Sequence, residues 1–129
     1  MRVRYTDCDP MGIAHHSVYP VWLEVARAEW LRQAGSPYSD LEQRGVFFVM
    51  ARMSLRYKRP ARYDQVLSLC VQAAPIAGSA PVKIDHRYEV FNGRSLLATA
   101  ATTLVCVDGA GKPRTIPDRV LCLLGSRAR

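Results

Sequence analysis

The sequence has no long hydrophobic run: no apolar stretch in its 129 residues approaches the roughly 20 that a membrane-spanning helix needs. Its opening, Met1-Arg2-Val3-Arg4-Tyr5, lacks the apolar centre of a secretory signal. A cytoplasmic protein without stable membrane insertion is therefore expected. Cysteine is sparse and poorly spaced. Cys8, Cys70, Cys106 and Cys122 form no CxxC pair and no His/Cys pair at ligand spacing, so no metal site is expected. A disulfide framework is not expected either, because a chain of this length can build a core without one. Cys70 and Cys106 stand in apolar runs and read as small core residues. Internal repeats and low-complexity segments are absent, so residues 1–129 read as one domain.

Acidic residues are in the minority. Eighteen Lys and Arg face eleven Asp and Glu, giving a net charge of +7. Such an excess suits nucleic acid, an anionic membrane surface or an anionic small molecule. The basic residues run from Arg2 to Arg129 without clustering, and no RNP-like, zinc-finger or helix-turn-helix signature accompanies them. Nucleic acid is thus not the expected partner. A solvated basic surface and a phosphate-bearing small molecule both remain open. With 49% hydrophobic and 22% charged residues, the composition is that of an ordinary globular protein.

Local pattern supplies the elements. Residues 2–6 alternate and suggest a short strand. Residues 7–12, DCDPMG, combine the turn formers Asp, Pro and Gly. A helix is expected over 17–34, with Ser17 as N-cap, Pro20 near the start and Gly35 and Pro37 as the stop. Val21, Trp22, Leu23, Val25, Ala26, Trp30 and Leu31 go most of the way round it, so protein should largely surround it. A short helix over 39–44 should end at Gly45. Apolar residues then alternate over 47–57, and strands are expected there and over 64–74, 82–91 and 95–107. Asn92-Gly93 signals a hairpin, residues 108–111 a loop, and residues 117–124 a closing helical turn. No helices separate the late strands, so they pair antiparallel. The fold class is α+β: one curved antiparallel sheet wrapped around a long central helix.

The chemistry-bearing segment is YTDCDPMGIAHHSVYPVW, residues 5–22. It sets two carboxylates, two histidines and a tyrosine just ahead of the long helix. A plain structural reading exists: DCDPMG is only a turn, and His15-His16-Ser17 only a cap. The chemical reading starts from Asp9, which Pro10 biases towards an extended backbone. Gly12 lets backbone approach a ligand closely. The helix start presents free N–H groups and a partial positive charge to an oxygen that gains negative charge. Asp9 would serve there as nucleophile or as general base on water.

The pattern Tyr5-x-Asp7-x-Asp9-x-x-Gly12-x-x-x-His16-x-x-Tyr19, followed by Trp22-Leu23-Glu24-x-Ala26-Arg27, resembles the 4-hydroxybenzoyl-CoA thioesterase family of hotdog proteins. It is especially similar to the bacterial branch encoded beside the Tol–Pal envelope genes. Tyr57-Lys58-Arg59-Pro60-Ala61-x-Tyr63-Asp64 resembles the segment that joins two of the family's strands. The resemblance covers about residues 2–125. It implies hydrolysis of a short-chain or aromatic acyl-CoA thioester, with coenzyme A as part of the substrate and no metal or redox cofactor. It implies a homodimer or homotetramer with the active site between subunits. Asp9 matches the family's catalytic carboxylate, while Tyr5 and His16 match its accompanying tyrosine and histidine. The backbone N–H of His16 matches the donor that polarises the carbonyl. Gly12, Ile13, His15 and Arg59 are the expected substrate contacts. Related chains carry several residues before the motif, so the resemblance also implies a start upstream of Met1.

Other candidates have simpler readings. Asp7 reads as a turn or cap residue, and His15 equally as an exposed helix-start residue. Glu24 reads as structural, pairing with Arg27 or with neighbouring backbone. His86 shares a face with Ile84, Tyr88 and Val90 and reads as a hydrogen-bonded core or interface histidine. Arg56, Lys58, Arg59 and Arg62, or Lys83, Arg87 and Arg94, are the cations available for coenzyme A phosphates. Two other classes stay open. One is a non-hydrolytic acyl-CoA or acyl-carrier binding module. The other is a nucleic-acid or acidic-partner binding protein. A hydratase on the same fold would need a different His/carboxylate motif.

Overall fold

The computed structural model describes residues 1–75 and 81–123 and the backbone of 127–128. Two short 3-10 turns, Tyr5–Asp7 and His16–Val18, precede helix α1 (Tyr19–Gln33) and helix α2 (Tyr38–Gln43). Strands β1 (Phe47–Tyr57), β2 (Ser68–Pro75), β3 (Lys83–Asn92) and β4 (Ser95–Val107) follow, then α3 (Asp118–Leu121) and a two-residue β5 (Arg127–Ala128). The strands form one antiparallel sheet in the order β1-β4-β3-β2-β5. This is the expected α+β hotdog arrangement, with α1 laid on the sheet.

The alternation in β3 does what its pattern requires. Ile84, His86, Tyr88 and Val90 are buried, while Lys83, Asp85 and Arg87 face solvent. The core has two parts, and α1 spans both. Tyr19, Trp22 and Leu23 pack with Leu69, Val71, Tyr88, Val90 and Ala98. About two turns on, Trp30 and Leu31 pack with Leu41, Ala73, Ile84 and Cys106. Between the two parts lies Arg27, buried, donating to the Tyr88 hydroxyl at 3.0 Å. Tyr88 in turn meets Thr102 at 2.7 Å, so a polar chain ties helix to sheet through the core.

Several expectations need correction. Residues 2–6 form no strand. Only Arg2 bridges to Val66, because the Asp7 carboxylate draws residues 4–7 into a 3-10 turn by accepting from the Arg4 backbone N–H at 2.9 Å. Ser17 does not cap the helix: the His15 side chain accepts from the Ser17 N–H and caps the 3-10 turn, and α1 starts at Tyr19 with Pro20 in its first turn. Protein does not surround α1 in the single chain, since Val21 and Val25 are each about half exposed. The buried positions include Arg27 instead, and its partner is Tyr88 rather than the exposed Glu24. β2 begins at Ser68, four residues late, because residues 62–65 turn and the next residues pair with Met1 and Arg2. The β3–β4 turn is Gly93-Arg94, flanked by the pair Asn92 and Ser95, one residue beyond the expected one. The closing turn is α3, and Leu124 lies outside the described residues. β1 spans the expected residues, yet most of them are exposed, because it is the sheet's edge strand.

Candidate active site

The site is built on a short pairing between two loops. Ala14 N–H donates to the Ala61 carbonyl at 2.7 Å, Ile13 bridges Arg62, and Tyr63 N–H donates to the Gly12 carbonyl at 3.3 Å. This brings the segment after β1 against the segment before α1. The Asp9 turn closes on itself: Gly12 N–H donates to the Asp9 carbonyl at 2.9 Å, and Gly12 has φ +77°. That left-handed conformation is why glycine stands there. One Asp9 oxygen accepts from the Met11 N–H at 2.8 Å and the Ile13 N–H at 3.4 Å. The carboxylate is therefore oriented by its own turn and half-buried.

Asp7 is a separate case. It is buried and accepts from the Arg4 backbone and from its guanidinium at 2.9 Å. Burial pushes its carboxyl up, but the Arg4 hydrogen bonds and charge outweigh that and hold it below the usual carboxylate range. The Asp7 carbonyl also accepts from the His15 N–H at 2.7 Å. Asp7 is a scaffold for the loop, as expected of a turn or cap residue.

Asp9 sits on the wall between two clefts. One, of about 400 Å³, is lined by Asp9, Ile13, His15, His16, Tyr57 and Arg59, among others. Lys58 stands beside Arg59 at its rim, and both cations are exposed. The His15 and His16 rings lie 4.1 Å apart. The Tyr57 hydroxyl donates to the His16 carbonyl at 3.1 Å, fixing that peptide from the end of β1. Among the described residues, no acceptor engages the His16 backbone N–H. Tyr19 closes the floor, its ring edge-on to Tyr57 at 5.0 Å, and burial pushes its hydroxyl pKa up.

The second cleft, of about 420 Å³, is lined by Tyr5, Cys8, Asp9, Pro10, Gly12 and Tyr63. Of the expected site residues, then, Ile13, His15, His16 and Arg59 share one cleft with Asp9, and Tyr5 and Gly12 share the other. Tyr5 and His16 do not meet on one side of Asp9. Tyr57 and Tyr63 were not expected as site residues; both stand in the Tyr57-to-Asp64 motif, but only the loop pairing shows that they flank Asp9. A third cleft of about 480 Å³ lies between α1 and β2, lined largely by apolar residues such as Val25, Ala26, Trp30 and Leu69. Its single carboxylate, Glu29, pairs with Arg32. Size alone thus does not locate the chemistry. Among the described residues, no three His, Cys, Asp or Glu are grouped as metal ligands, and no helix is long and apolar enough to cross a membrane.

A sequence model described as the thioesterase-like superfamily matches residues 3–123. The chain belongs to the thioesterase-like superfamily. Among its relatives, the acyl-CoA thioester hydrolase YbgC of Escherichia coli is 32% identical over 94% of this chain and 90% of that protein. The putative acyl-CoA thioesterase YneP of Bacillus subtilis is 32% identical over 84% of this chain and 77% of that one. A crystal structure of a hypothetical protein from Aquifex aeolicus superposes with a TM-score of 0.89 at 33% identity, covering 96% and 95% of the two chains. The thioesterase-like match spans both loops of the site and all of β1 to β4.

Proposed function

We propose that the protein hydrolyses acyl-CoA thioesters, with Asp9 as the catalytic carboxylate. The observation that carries this reading is a single cleft holding an oriented carboxylate, an unclaimed backbone N–H at His16 and two exposed cations at the rim. The thioester carbonyl oxygen accepts from the His16 N–H, which is preorganised for the charge that develops on it. Asp9 takes a proton from water as the water oxygen adds to the carbonyl carbon. Collapse of the tetrahedral species breaks the C–S bond. The thiolate leaves and is protonated, giving the free acid and coenzyme A. Attack by Asp9 itself, followed by hydrolysis of the resulting anhydride, places the same groups in the same positions. The two routes differ in whether solvent oxygen enters Asp9 in a single turnover.

Tyr57 positions the His16 peptide, and Lys58 and Arg59 face the coenzyme A phosphates. His15 and Ile13 contact the substrate along this cleft. No metal or redox cofactor takes part. His16, at a position where the aromatic-substrate branch of the resembled family often carries another aromatic residue, supports the Tol–Pal-like branch. The reading includes one catalytic domain over residues 1–129, working in the cytoplasm as a homodimer or homotetramer. The open edge of β1, with Val49 and Met50 exposed, supports the oligomer. Thiol release from a panel of acyl-CoA thioesters tests the activity. No turnover by the folded protein on any of them would leave a binding module in its place.

A further inference from the structure

Two neighbouring histidines line the cleft that carries Asp9, and hydrogen bonds hold only one of the two rings. His15 is exposed, yet its ring is fixed from two sides. The Ser17 N–H donates to its Nδ1 at 3.2 Å, and the Ser17 hydroxyl lies 2.7 Å from the same nitrogen. The His16 ring packs against it with centroids 4.1 Å apart. The backbone is pinned as well. The His15 N–H donates to the carbonyl of buried Asp7 at 2.7 Å, and the His15 carbonyl accepts from the Val18 N–H at 3.1 Å. Among the described residues, no hydrogen bond fixes the His16 ring.

These contacts decide where the proton of His15 sits. A ring nitrogen that accepts from a backbone N–H has no hydrogen of its own. The neutral His15 ring therefore bears its proton on Nε2, and among the described residues nothing engages that N–H. A side chain needed only to cap a three-residue turn could be Ser, Asp or Asn. Histidine adds an N–H on the far side of a rigid ring.

We propose that His15 is a further catalytic residue, whose Nε2–H donates a hydrogen bond to the thioester sulfur as the C–S bond breaks. The proposal rests on the thioesterase reading. Placement selects the sulfur. The N–H that receives the carbonyl oxygen belongs to the peptide joining His15 to His16, so the imidazole stands one residue from the reacting group. Lys58 and Arg59 line the same cleft, so coenzyme A runs along it and brings its sulfur end to His15. As the C–S electron pair moves onto sulfur, the preorganised N–H meets the growing charge. His15 keeps its proton throughout, because a neutral imidazole only donates a hydrogen bond here. The departing thiolate takes up the proton that Asp9 removed from water, directly or through solvent.

The test uses His15→Asn and His15→Gln beside the wild type. Asparagine still accepts from the Ser17 N–H but places no donor at Nε2, whereas the longer glutamine amide reaches it. On an acyl-CoA that the wild type cleaves, His15→Asn should lose about 10- to 100-fold in kcat with KM within about threefold. The loss falls on kcat because the bond strengthens only as charge builds on sulfur. His15→Gln should recover part of it. Calorimetry at a pH where the coenzyme A thiol is ionised reads the sulfur itself. Relative to desulfo-coenzyme A, binding of coenzyme A should weaken about 3- to 10-fold in His15→Asn. Long-range proton–nitrogen NMR of the wild type, assigned through the His15 backbone and needing no variant to fold, should place the ring proton on Nε2. Undiminished kcat in His15→Asn, no recovery in His15→Gln, an unchanged preference between coenzyme A and desulfo-coenzyme A, or a proton on Nδ1 overturns the proposal. A wild type inactive on every thioester overturns the thioesterase reading itself, and wild-type kinetics alone reveal that outcome.

Discussion

Lowering the pH from 7.5 to 5 is expected to weaken the fold by about 2 kcal/mol through His86 alone. His86 is 3% exposed, and its Nδ1 has no hydrogen-bond partner. The ring is edge-on to Trp30 and stacked on Tyr88, each with centroids 6.0 Å away. Burial, reinforced by the nearby Arg27 charge and opposed by Asp85, lowers its pKa from 6.5 to about 3. The unfolded chain thus binds a proton near pH 6.5 that the folded chain refuses. Stability is fully present above that pH and is lost as the pH falls towards 3, at about 1.4 kcal/mol per unit. One and a half units of that window gives the figure. The Asp7 carboxyl, held below its ordinary 3.8, loses its contribution only at lower pH and does not intrude. Denaturant unfolding at pH 7.5, 6 and 5, at fixed ionic strength and protomer concentration, measures it. His86→Phe keeps a ring against Trp30 and removes the titration, so the variant should lack this part of the slope. An identical pH dependence in both proteins would refute the reasoning.

Other perturbations separate site from scaffold. Gly12→Ala should cost about 1 kcal/mol in denaturant unfolding, all of it from φ +77°, since an added Cβ meets nothing within 4 Å. Leu23→Ala, at a fully buried position in the core beside Tyr88, should cost about 3 kcal/mol in the same assay. Tyr57→Phe removes the donor to the His16 carbonyl and should lower kcat about 3- to 10-fold with little change in KM, read from steady-state kinetics. Val49→Lys, on the open edge of β1, should shift sedimentation velocity from oligomer towards monomer.

The strands were legible where one face meets the core or the residues simply alternate. β1 and β4 run over the expected residues, and β3 differs by one residue at each end. The N-terminal region was less legible because side chains there override the backbone pattern. The Asp7 carboxylate bends residues 4–7 into a turn, and the His15 ring takes the capping role that Ser17 was expected to fill. The two-residue β5 carries no pattern that a sequence can display. Arg27 shows the limit of reading a helix alone. Its position suggested a surface pair with Glu24, but its buried partner, Tyr88, is 61 residues away. In the site, the spacing from Asp9 to His16 was readable, because both belong to one local segment. The placing of Tyr5 and His16 on opposite sides of Asp9 was not, since it depends on how residues 12–14 pair with 61–63.

The central claim is that Asp9 performs the chemistry, and the direct measurement is thiol release from acetyl- to palmitoyl-CoA, benzoyl-CoA and phenylacetyl-CoA by the wild type and Asp9→Asn. Asparagine can still accept from the Met11 N–H, so the turn should persist and both proteins should unfold at similar denaturant concentrations. The account predicts wild-type turnover on at least one thioester and a loss of at least roughly 100-fold in the variant. A variant that folds and turns over as fast as the wild type would contradict it.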